Sequence, residues 1–256
     1  MSVSTQINYA TMFAYCMEQA RKKGYRLVIN PSHFAEGNYG RLFHASHSNH
    51  PSKTLVLKIM HNQDDLEAAR QQLAHQISVQ SSMPFRICTV YESFRLTSRV
   101  GIRAILMEYA QAKVAADGHA DTALALLPMA TPADINQRYA AAPSLRATMD
   151  LARRSEGPLV WAYARYTVVH DIGVALRAFL SRGLAHLDLS PNNVLLCQIW
   201  DGRCVRLVPI MIDWANTAYH PSLTTTNSSI HSEYETKGTN ANQVYASVLR
   251  GLEHIM

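Results

Sequence analysis

The polar segment HLDLSPNN occupies residues 186–193 and is the most informative part of the sequence. It follows a segment with the apolar spacing of a helix (residues 167–181) and precedes an apolar, strand-like run, VLLCQIW, at residues 194–200. A carboxylate such as Asp188 in this loop can orient an attacking hydroxyl and accept its proton. The amide oxygen of Asn193, five residues later, can bind Mg²⁺. The segment therefore predicts a polar loop between a helix and a strand that carries general-base and metal-binding groups.

A second candidate acid, Asp213, stands at the end of another apolar run, CVRLVPIMI, at residues 204–212. The two apolar runs flank Asp201-Gly202, a dipeptide typical of a tight hairpin turn. A carboxylate directly after an apolar strand is costly unless it binds a cation or hydrogen-bond donors. The pattern predicts a hairpin that ends in such an acid, although each acid taken alone also fits a turn or capping role.

Near the N-terminus, FAEGNYGRLFHA (residues 34–45) lies between two predicted strands. Gly37 and Gly40 let the backbone approach a phosphate where side chains would clash, although a G-x-x-G hairpin is also common as a plain turn. Eighteen residues after Gly40, Lys58 stands within the apolar strand LVLKIM at residues 55–60. A lysine there needs an anionic partner, and a phosphate is one candidate; the alternative is a strand-edge lysine that reaches water.

These four elements, in this order, resemble the motifs of the protein-kinase-like superfamily. AEGNYGRL is similar to the glycine-rich loop, LVLK to V-A-I-K, HLDLSPNN to H-R-D-x-x-x-x-N, and IDWA to the D-F-G region. ILMEYA, at residues 105–110, is similar to the hinge that contacts adenine. The resemblance covers residues 26–255 and implies ATP and Mg²⁺ as cofactors.

The resemblance implies a role for each matching residue of the catalytic set. Lys58 would bind the α- and β-phosphates of ATP, and Asp188 would be the catalytic base. Asn193 and Asp213 would hold Mg²⁺, with Asn193 belonging to both the catalytic and the metal-binding set. Rate enhancement would come from positioning and from charge neutralisation during an in-line transfer.

The nucleotide would contact two further segments by the same analogy. The glycine-rich turn over the triphosphate comprises Gly37, Asn38, Tyr39 and Gly40. In the hinge, Met107 would be the gatekeeper, and the backbone of Glu108 and Ala110 would face adenine.

The acidic partner of Lys58 is open from spacing alone. Glu67 follows nine residues later, early in a helix predicted to run to about residue 79. Counting back from the next strand favours Gln72 or Gln76 instead. We take Glu67 as the expected partner.

The predicted fold is α+β, a two-lobed protein-kinase-like fold with a strand-rich N-lobe and a reduced, mainly helical C-lobe. An N-terminal helix would occupy residues 1–25, the N-lobe residues 26–110 and the truncated C-lobe residues 111–256. The Ala-rich segment at residues 112–165 is helical in character, although Pro128, Pro132 and Pro143 interrupt it.

The expected function is an ATP- and Mg²⁺-dependent phosphotransferase, a Ser/Thr protein kinase. The short chain after Asp213 resembles that of compact effector kinases that pathogenic bacteria inject into host cells, which implies a host protein as substrate. One alternative is a small-molecule kinase of the aminoglycoside-phosphotransferase type, favoured by Ser190, Trp214 and the long gap between Asn193 and Asp213. Another is a pseudokinase that serves as a binding scaffold.

The amino-acid composition limits the classes of binding partner and the cellular compartment that we expect for the chain. The formal charge is +5, from 24 basic and 19 acidic residues, without a basic run that would suggest a nucleic-acid tract. The sequence contains no stretch of 18 apolar residues, so it predicts no membrane-spanning helix. The four cysteines lie in apolar or strand-like contexts, which favours reduced thiols and therefore the cytoplasm, either of the producing cell or of a host cell. We expect a monomer.

Overall fold

The computed structural model describes residues 8–37, 39–51, 53, 55–61, 66–80, 85–95, 103–110, 113–115, 144–147, 158–200, 205–219, 246, 249–251 and 253. The chain divides into two compact units, both discontinuous in sequence. The first comprises Met1–Ala68 and Thr89–Tyr109; the second comprises Ala69–Cys88 and Ala110–Met256.

The first unit begins with helix α1 (Tyr9–Lys22). The side chain of Asn8 caps it by accepting a hydrogen bond from the N–H of Thr11 at 3.2 Å, and Gly24, with φ of +83°, ends it. The buried side chains of α1 are Met12, Phe13, Cys16 and Ala20. They form one stripe along the helix, which packs against a sheet.

That sheet has five antiparallel strands in the order β1-β2-β3-β6-β5. Their bounds are β1 (Leu27–Gly37), β2 (Gly40–His47), β3 (Leu55–Met60), β5 (Val90–Arg95) and β6 (Arg103–Glu108). Every residue of β3 is buried, because α1 packs with Leu55, Leu57 and Ile59 on one face, while Met60 packs with Ile105 on the other. The continuous apolar run of β3 is what a strand covered on both faces requires.

Strand β1 is irregular where it approaches the glycine-rich turn. The pairing with β2 steps from His33↔Phe43 to Ala35↔Leu42, so Phe34 is an extra residue on β1. A bulge of this kind re-aims a side chain. Here it lets the ring of Phe34 stack on His44, with ring centroids 4.1 Å apart.

The second unit contains the longer part of helix α2 (Glu67–Gln80), helix α3 (Pro158–Leu180) and two sheets. One sheet has the order β4-β10-β9-β7 and the other pairs β11 with β8. Their bounds are β4 (Arg86–Ile87), β7 (Lys113–Ala115), β8 (Leu184–His186), β9 (Val194–Trp200), β10 (Val205–Met211) and β11 (Thr217–Tyr219). The core of the unit joins apolar side chains of α2 and α3 to the strands that flank residues 186–193.

The predicted α+β class is confirmed. The predicted hairpin of residues 194–200 and 204–212 is present, with Trp200 paired to Val205, while its turn lies outside the described residues. The described part of the second unit holds six strands beside its helices. Most of residues 112–165 also lie outside the described residues. No helix in the described part of the chain is long and apolar enough to cross a membrane.

Candidate active site

Lys58 and Glu67 form a buried ion pair within the first unit. The Lys58 ammonium donates a hydrogen bond to Glu67 Oε1 at 2.6 Å, and the two side chains are 10% and 2% exposed. Gln72 and Gln76, the alternative partners, are exposed. A buried ammonium requires a paired anion, and Glu67 supplies that anion for Lys58.

The two glycines of the turn at residues 37–40 differ in whether a close protein contact requires them. A Cβ at Gly40 would lie 2.4 Å from the carbonyl oxygen of Ile59, so this glycine is required by the close approach of β2 and β3. A Cβ at Gly37 would have no atom within 4 Å, so no described protein contact requires this glycine. Asn38 lies outside the described residues, and the carbonyl oxygen of Tyr39 accepts from the N–H of His61 at 3.0 Å.

A charged pair joins the two strands beside this turn. Arg41 Nε lies 2.8 Å from Glu36 Oε1 in an ion pair, and the Arg41 guanidinium lowers the pKa of Glu36. His61 and His33 lie 3.8 and 4.0 Å from the same carboxylate. The pair links β1 to β2 next to Gly37 and Gly40.

The predicted hinge residues fall in different units. Met107 packs at the edge of the first unit's cluster around Ile105, and Glu108 donates its backbone N–H to the carbonyl oxygen of Thr89 at 2.8 Å. The N–H of Glu108 is therefore engaged within the sheet. Ala110 belongs to the second unit, where it packs beside Cys88, Cys197 and Ile210.

An aromatic group that the sequence analysis missed lies on the face of the sheet that carries Lys58. His44 pairs with Val56, two residues from Lys58, and therefore shares its face. Phe34 stacks on His44, and both rings meet Tyr109, at centroid distances of 5.6 and 5.1 Å. Burial lowers the pKa of His44 and raises that of Tyr109. Because Phe34 is 38% exposed, the group offers an aromatic surface of which one ring remains accessible.

In the second unit, Asp188 and Asn193 belong to one hydrogen-bonded loop. Asn193 Nδ2 donates to the carbonyl oxygen of Asp188 at 2.7 Å, and its backbone N–H donates to that of Ser190 at 3.0 Å. The N–H of Asp188 donates to His186 Nδ1 at 3.3 Å. Because the amide nitrogen of Asn193 faces the loop, its Oδ1 is the atom that can bind a metal.

Asp213 lies beside Asn193 at the end of the β9–β10 hairpin. Met211 pairs with Val194, and the N–H of Ile212 donates to the carbonyl oxygen of Asn193 at 3.0 Å. Asp213 itself has a positive φ of 61°, a left-handed conformation that is uncommon for a residue other than glycine. Strained backbone of this kind is often found at functional sites.

The oxygen donors of this loop fit a magnesium ion. Asp213 offers a carboxylate and Asn193 an amide oxygen, and Mg²⁺ is typically held by one or two carboxylates together with phosphate oxygens and waters. The described residues contain no group of three or more His, Cys, Asp or Glu side chains that could hold a metal ion.

The structure thus brings the predicted residues together in two sets. Lys58, Glu67 and the glycine-rich turn belong to the first unit; Asp188, Asn193 and Asp213 belong to the second. Comparison of the sequence with protein-family models found no match, and comparison with curated proteins found no similar protein.

Proposed function

We propose that the chain is an ATP- and Mg²⁺-dependent phosphotransferase with a protein-kinase-like fold, and that it transfers the γ-phosphoryl group to a Ser or Thr hydroxyl of a protein. The observation that carries the proposal is the juxtaposition of Asp188, Asn193 and Asp213 in one hydrogen-bonded loop and hairpin end. Their order in the sequence and their chemistry match what phosphoryl transfer needs. The buried pair of Lys58 and Glu67 supports it independently.

Each residue has a defined task in this proposal. Asp188 orients the acceptor hydroxyl and takes its proton as the bond from oxygen to the γ-phosphorus forms. The bond between that phosphorus and the β–γ bridging oxygen breaks, and ADP leaves. Asn193 Oδ1 and the Asp213 carboxylate would hold Mg²⁺, which supplies charge neutralisation on the phosphates when bound.

The first unit would supply the contacts to the nucleotide. Glu67 holds the Lys58 ammonium in place, so that it can pair with phosphate oxygens without reorganising. The open space at Gly37 allows a phosphate to approach the backbone. The accessible ring of Phe34 on the same face can stack on a planar base.

Transfer of label from γ-labelled ATP with Mg²⁺ tests the proposal. The acceptors would be the protein itself and a eukaryotic cell lysate, and mass spectrometry would identify the modified residues. Asp188→Asn should reduce transfer by a factor of about 10² to 10⁴, because the general base is lost. The matched control is Glu253→Gln, which removes a negative charge from an exposed position of the second unit.

Label on Ser or Thr that disappears in Asp188→Asn and persists in Glu253→Gln would support the proposal. Label that is equal in both variants would contradict the role of Asp188. Stabilisation by Mg-ATP in a thermal-shift measurement, without label on any protein, would instead favour transfer to a small molecule or a scaffold role.

A further inference from the structure

The turn that carries Asp213 is held through its carbonyl oxygens. The carbonyl oxygens of residues 211, 212, 214, 215 and 216 each accept a hydrogen bond from a described donor. The carbonyl of residue 211 accepts from Trp214 Nε1 at 3.3 Å, and that of residue 212 accepts from His186 Nε2 at 2.9 Å. The carbonyl of residue 214 accepts from Thr217 Oγ1 at 2.8 Å, and that of residue 215 accepts from Arg70 Nη1 at 2.7 Å. The carbonyl of residue 216 accepts from the N–H of Leu187 at 2.9 Å. Three of these donors, His186, Leu187 and Arg70, come from outside the turn and fix it to other parts of the unit.

Arg70 differs from the other four donors in charge and in origin. The others lie between residues 186 and 217, whereas Arg70 lies on helix α2, 145 residues before its acceptor Ala215. Its hydrogen bond is the shortest of the five, and a guanidinium donor makes it charge-assisted. Such a bond to a half-buried carbonyl is stronger than a neutral one.

The conformation of Asp213 needs such support. With φ of +61°, its backbone lies in a region that costs free energy for a residue with a Cβ. The local donors Trp214 and Thr217 belong to the same turn and move with it, so they cannot fix it to the rest of the unit. His186 and Leu187 fix it to the loop of Asp188, and Arg70 fixes it to α2.

We propose that Arg70 is a positioning residue for the carboxylate of Asp213. It clamps the carbonyl of Ala215, and so holds the turn in the left-handed conformation from which Asp213 binds a divalent cation. The inference rests on the proposed function for the identity of the cation. The sequence alone did not single out Arg70, because only the folded structure brings residue 70 to residue 215.

The experiment compares Arg70→Met, which removes the donors, with Arg70→Lys, which keeps a cationic donor. Arg177→Met is the control, because it removes the same charge from an exposed position on α3. Two readouts are independent of catalysis: Mn²⁺ binding in the presence of ATP, measured by electron paramagnetic resonance, and hydrogen exchange of the backbone amides of residues 212–217. ATP binding without metal is measured alongside.

We expect Arg70→Met to raise the half-saturating Mn²⁺ concentration about tenfold, as for loss of one charge-assisted hydrogen bond. Amide exchange in residues 212–217 should accelerate, and metal-free ATP binding should stay within about twofold, a difference near the resolution of such comparisons. Arg70→Lys should recover most of the metal affinity, and Arg177→Met should match the wild type.

Unchanged Mn²⁺ affinity in a folded Arg70→Met protein would overturn the proposal. An equal loss of metal-free ATP binding would also overturn it, since Arg70 would then contact the nucleotide itself. A wild-type protein that binds ATP but takes up no Mn²⁺ in its presence would refute metal binding at Asp213 and this role of Arg70 together. If the wild-type protein transfers no phosphate but still binds Mn²⁺, and Arg70→Met weakens that binding, the proposed phosphotransferase activity is refuted while the positioning role of Arg70 is supported.

Discussion

His186 Nε2 donates a hydrogen bond to the carbonyl oxygen of Ile212, the residue before Asp213, at a distance of 2.9 Å. The other ring nitrogen, Nδ1, accepts from the N–H of Asp188 at 3.3 Å. A carbonyl can only accept and an N–H can only donate, so this arrangement specifies the neutral imidazole with its proton on Nε2. The fully buried ring of His186 thereby connects the backbone of Asp188, the candidate base, to the backbone of Ile212, which precedes the candidate metal ligand Asp213.

Stability should therefore fall as the pH is lowered. Burial lowers the pKa of His186, against the smaller opposing effects of the Ile212 carbonyl and of the Asp213 and Asp188 charges. Since the folded pKa lies below the unfolded value of about 6.5, the contribution is complete above pH 6.5. It is lost as the pH falls below that value, because the unfolded state takes up the proton first.

Urea unfolding between pH 8 and pH 5 measures this effect. His186 can contribute a slope of up to about 1.4 kcal/mol per pH unit. His186→Gln keeps a donor for Ile212 but does not titrate, so it should flatten the slope by that contribution. His44 and His47, whose pKa values burial also lowers, should supply the part that remains. An identical slope in wild type and variant would contradict the assignment.

Removal of Lys58 should destabilise the protein more than removal of a surface lysine. Lys58→Met leaves Glu67 buried beside no ammonium, which costs about 3–5 kcal/mol in comparable buried pairs. The double variant Lys58→Met/Glu67→Leu should recover much of that stability while remaining unable to transfer phosphate. Stability is measured by denaturant unfolding and activity by transfer of label.

Lys23 is the matched control for this comparison. It pairs with Glu92 at 2.7 Å in the same unit, but its side chain is 52% exposed. Lys23→Met should therefore cost less than about 1 kcal/mol, as for other exposed pairs. A double variant as unstable as Lys58→Met alone would show that the loss of stability does not arise from the uncompensated charge of Glu67.

The spacing of polar residues predicted much of the candidate site. Asp188 and Asn193 lie close in sequence, so a single loop suffices to bring them together. Two apolar runs around a turn dipeptide predict the hairpin that carries Asp213. For Lys58, the sequence left Glu67 and two glutamines open, because helical spacing alone does not fix where a helix begins. The structure starts α2 at Glu67, with Gln72 and Gln76 on its exposed side.

Other features depend on contacts between distant segments and left no local signal. The bulge that turns Phe34 toward His44 is an irregularity of pairing, which single-strand alternation cannot reveal. The run ICTVYESF, at residues 87–94, is divided between two sheets, because Ile87 pairs with Met211 whereas Val90 pairs with Met107. The break at residues 88 and 89 is set by these partners and not by the composition of the segment.

The two glycines of the turn should respond differently to alanine. Gly40→Ala would force a Cβ within 2.4 Å of the Ile59 carbonyl oxygen, so β2 and β3 must separate. We expect a loss of about 1–3 kcal/mol, the usual range for overpacking. Gly37→Ala meets no atom within 4 Å and should leave stability nearly unchanged.

If the backbone at Gly37 approaches a phosphate, Gly37→Ala should nevertheless raise KM for ATP several-fold. Thermal unfolding combined with steady-state kinetics separates the two effects. A Gly37→Ala protein with unaltered KM would show that this glycine serves only the hairpin. A Gly40→Ala protein as stable as wild type would show that β2 can shift away from Ile59 at little cost.

Gly251 and Leu189 give the last prediction, because a helical residue near the C-terminus touches the loop of Asp188. A Cβ at Gly251 would lie 2.8 Å from Leu189 Cβ and 3.1 Å from its carbonyl oxygen. Leu189 is buried and directly follows Asp188, so Gly251→Ala must displace the loop or the helix. We expect a loss of about 1–3 kcal/mol in stability. Activity should fall more than stability alone explains, since a shift of about 1 Å in a catalytic group can cost 10²-fold in rate.

Gly173→Ala provides the opposite case within the same unit. Gly173 lies inside α3, and a Cβ there would meet no atom within 4 Å. Alanine in a helix interior is favoured over glycine by about 0.5–1 kcal/mol, so this variant should be slightly more stable and fully active. Denaturant unfolding measures the stability of Gly251→Ala and Gly173→Ala, and transfer of label measures their activity. Equal activity in the two would mean that the loop of Asp188 does not depend on its contact with Gly251.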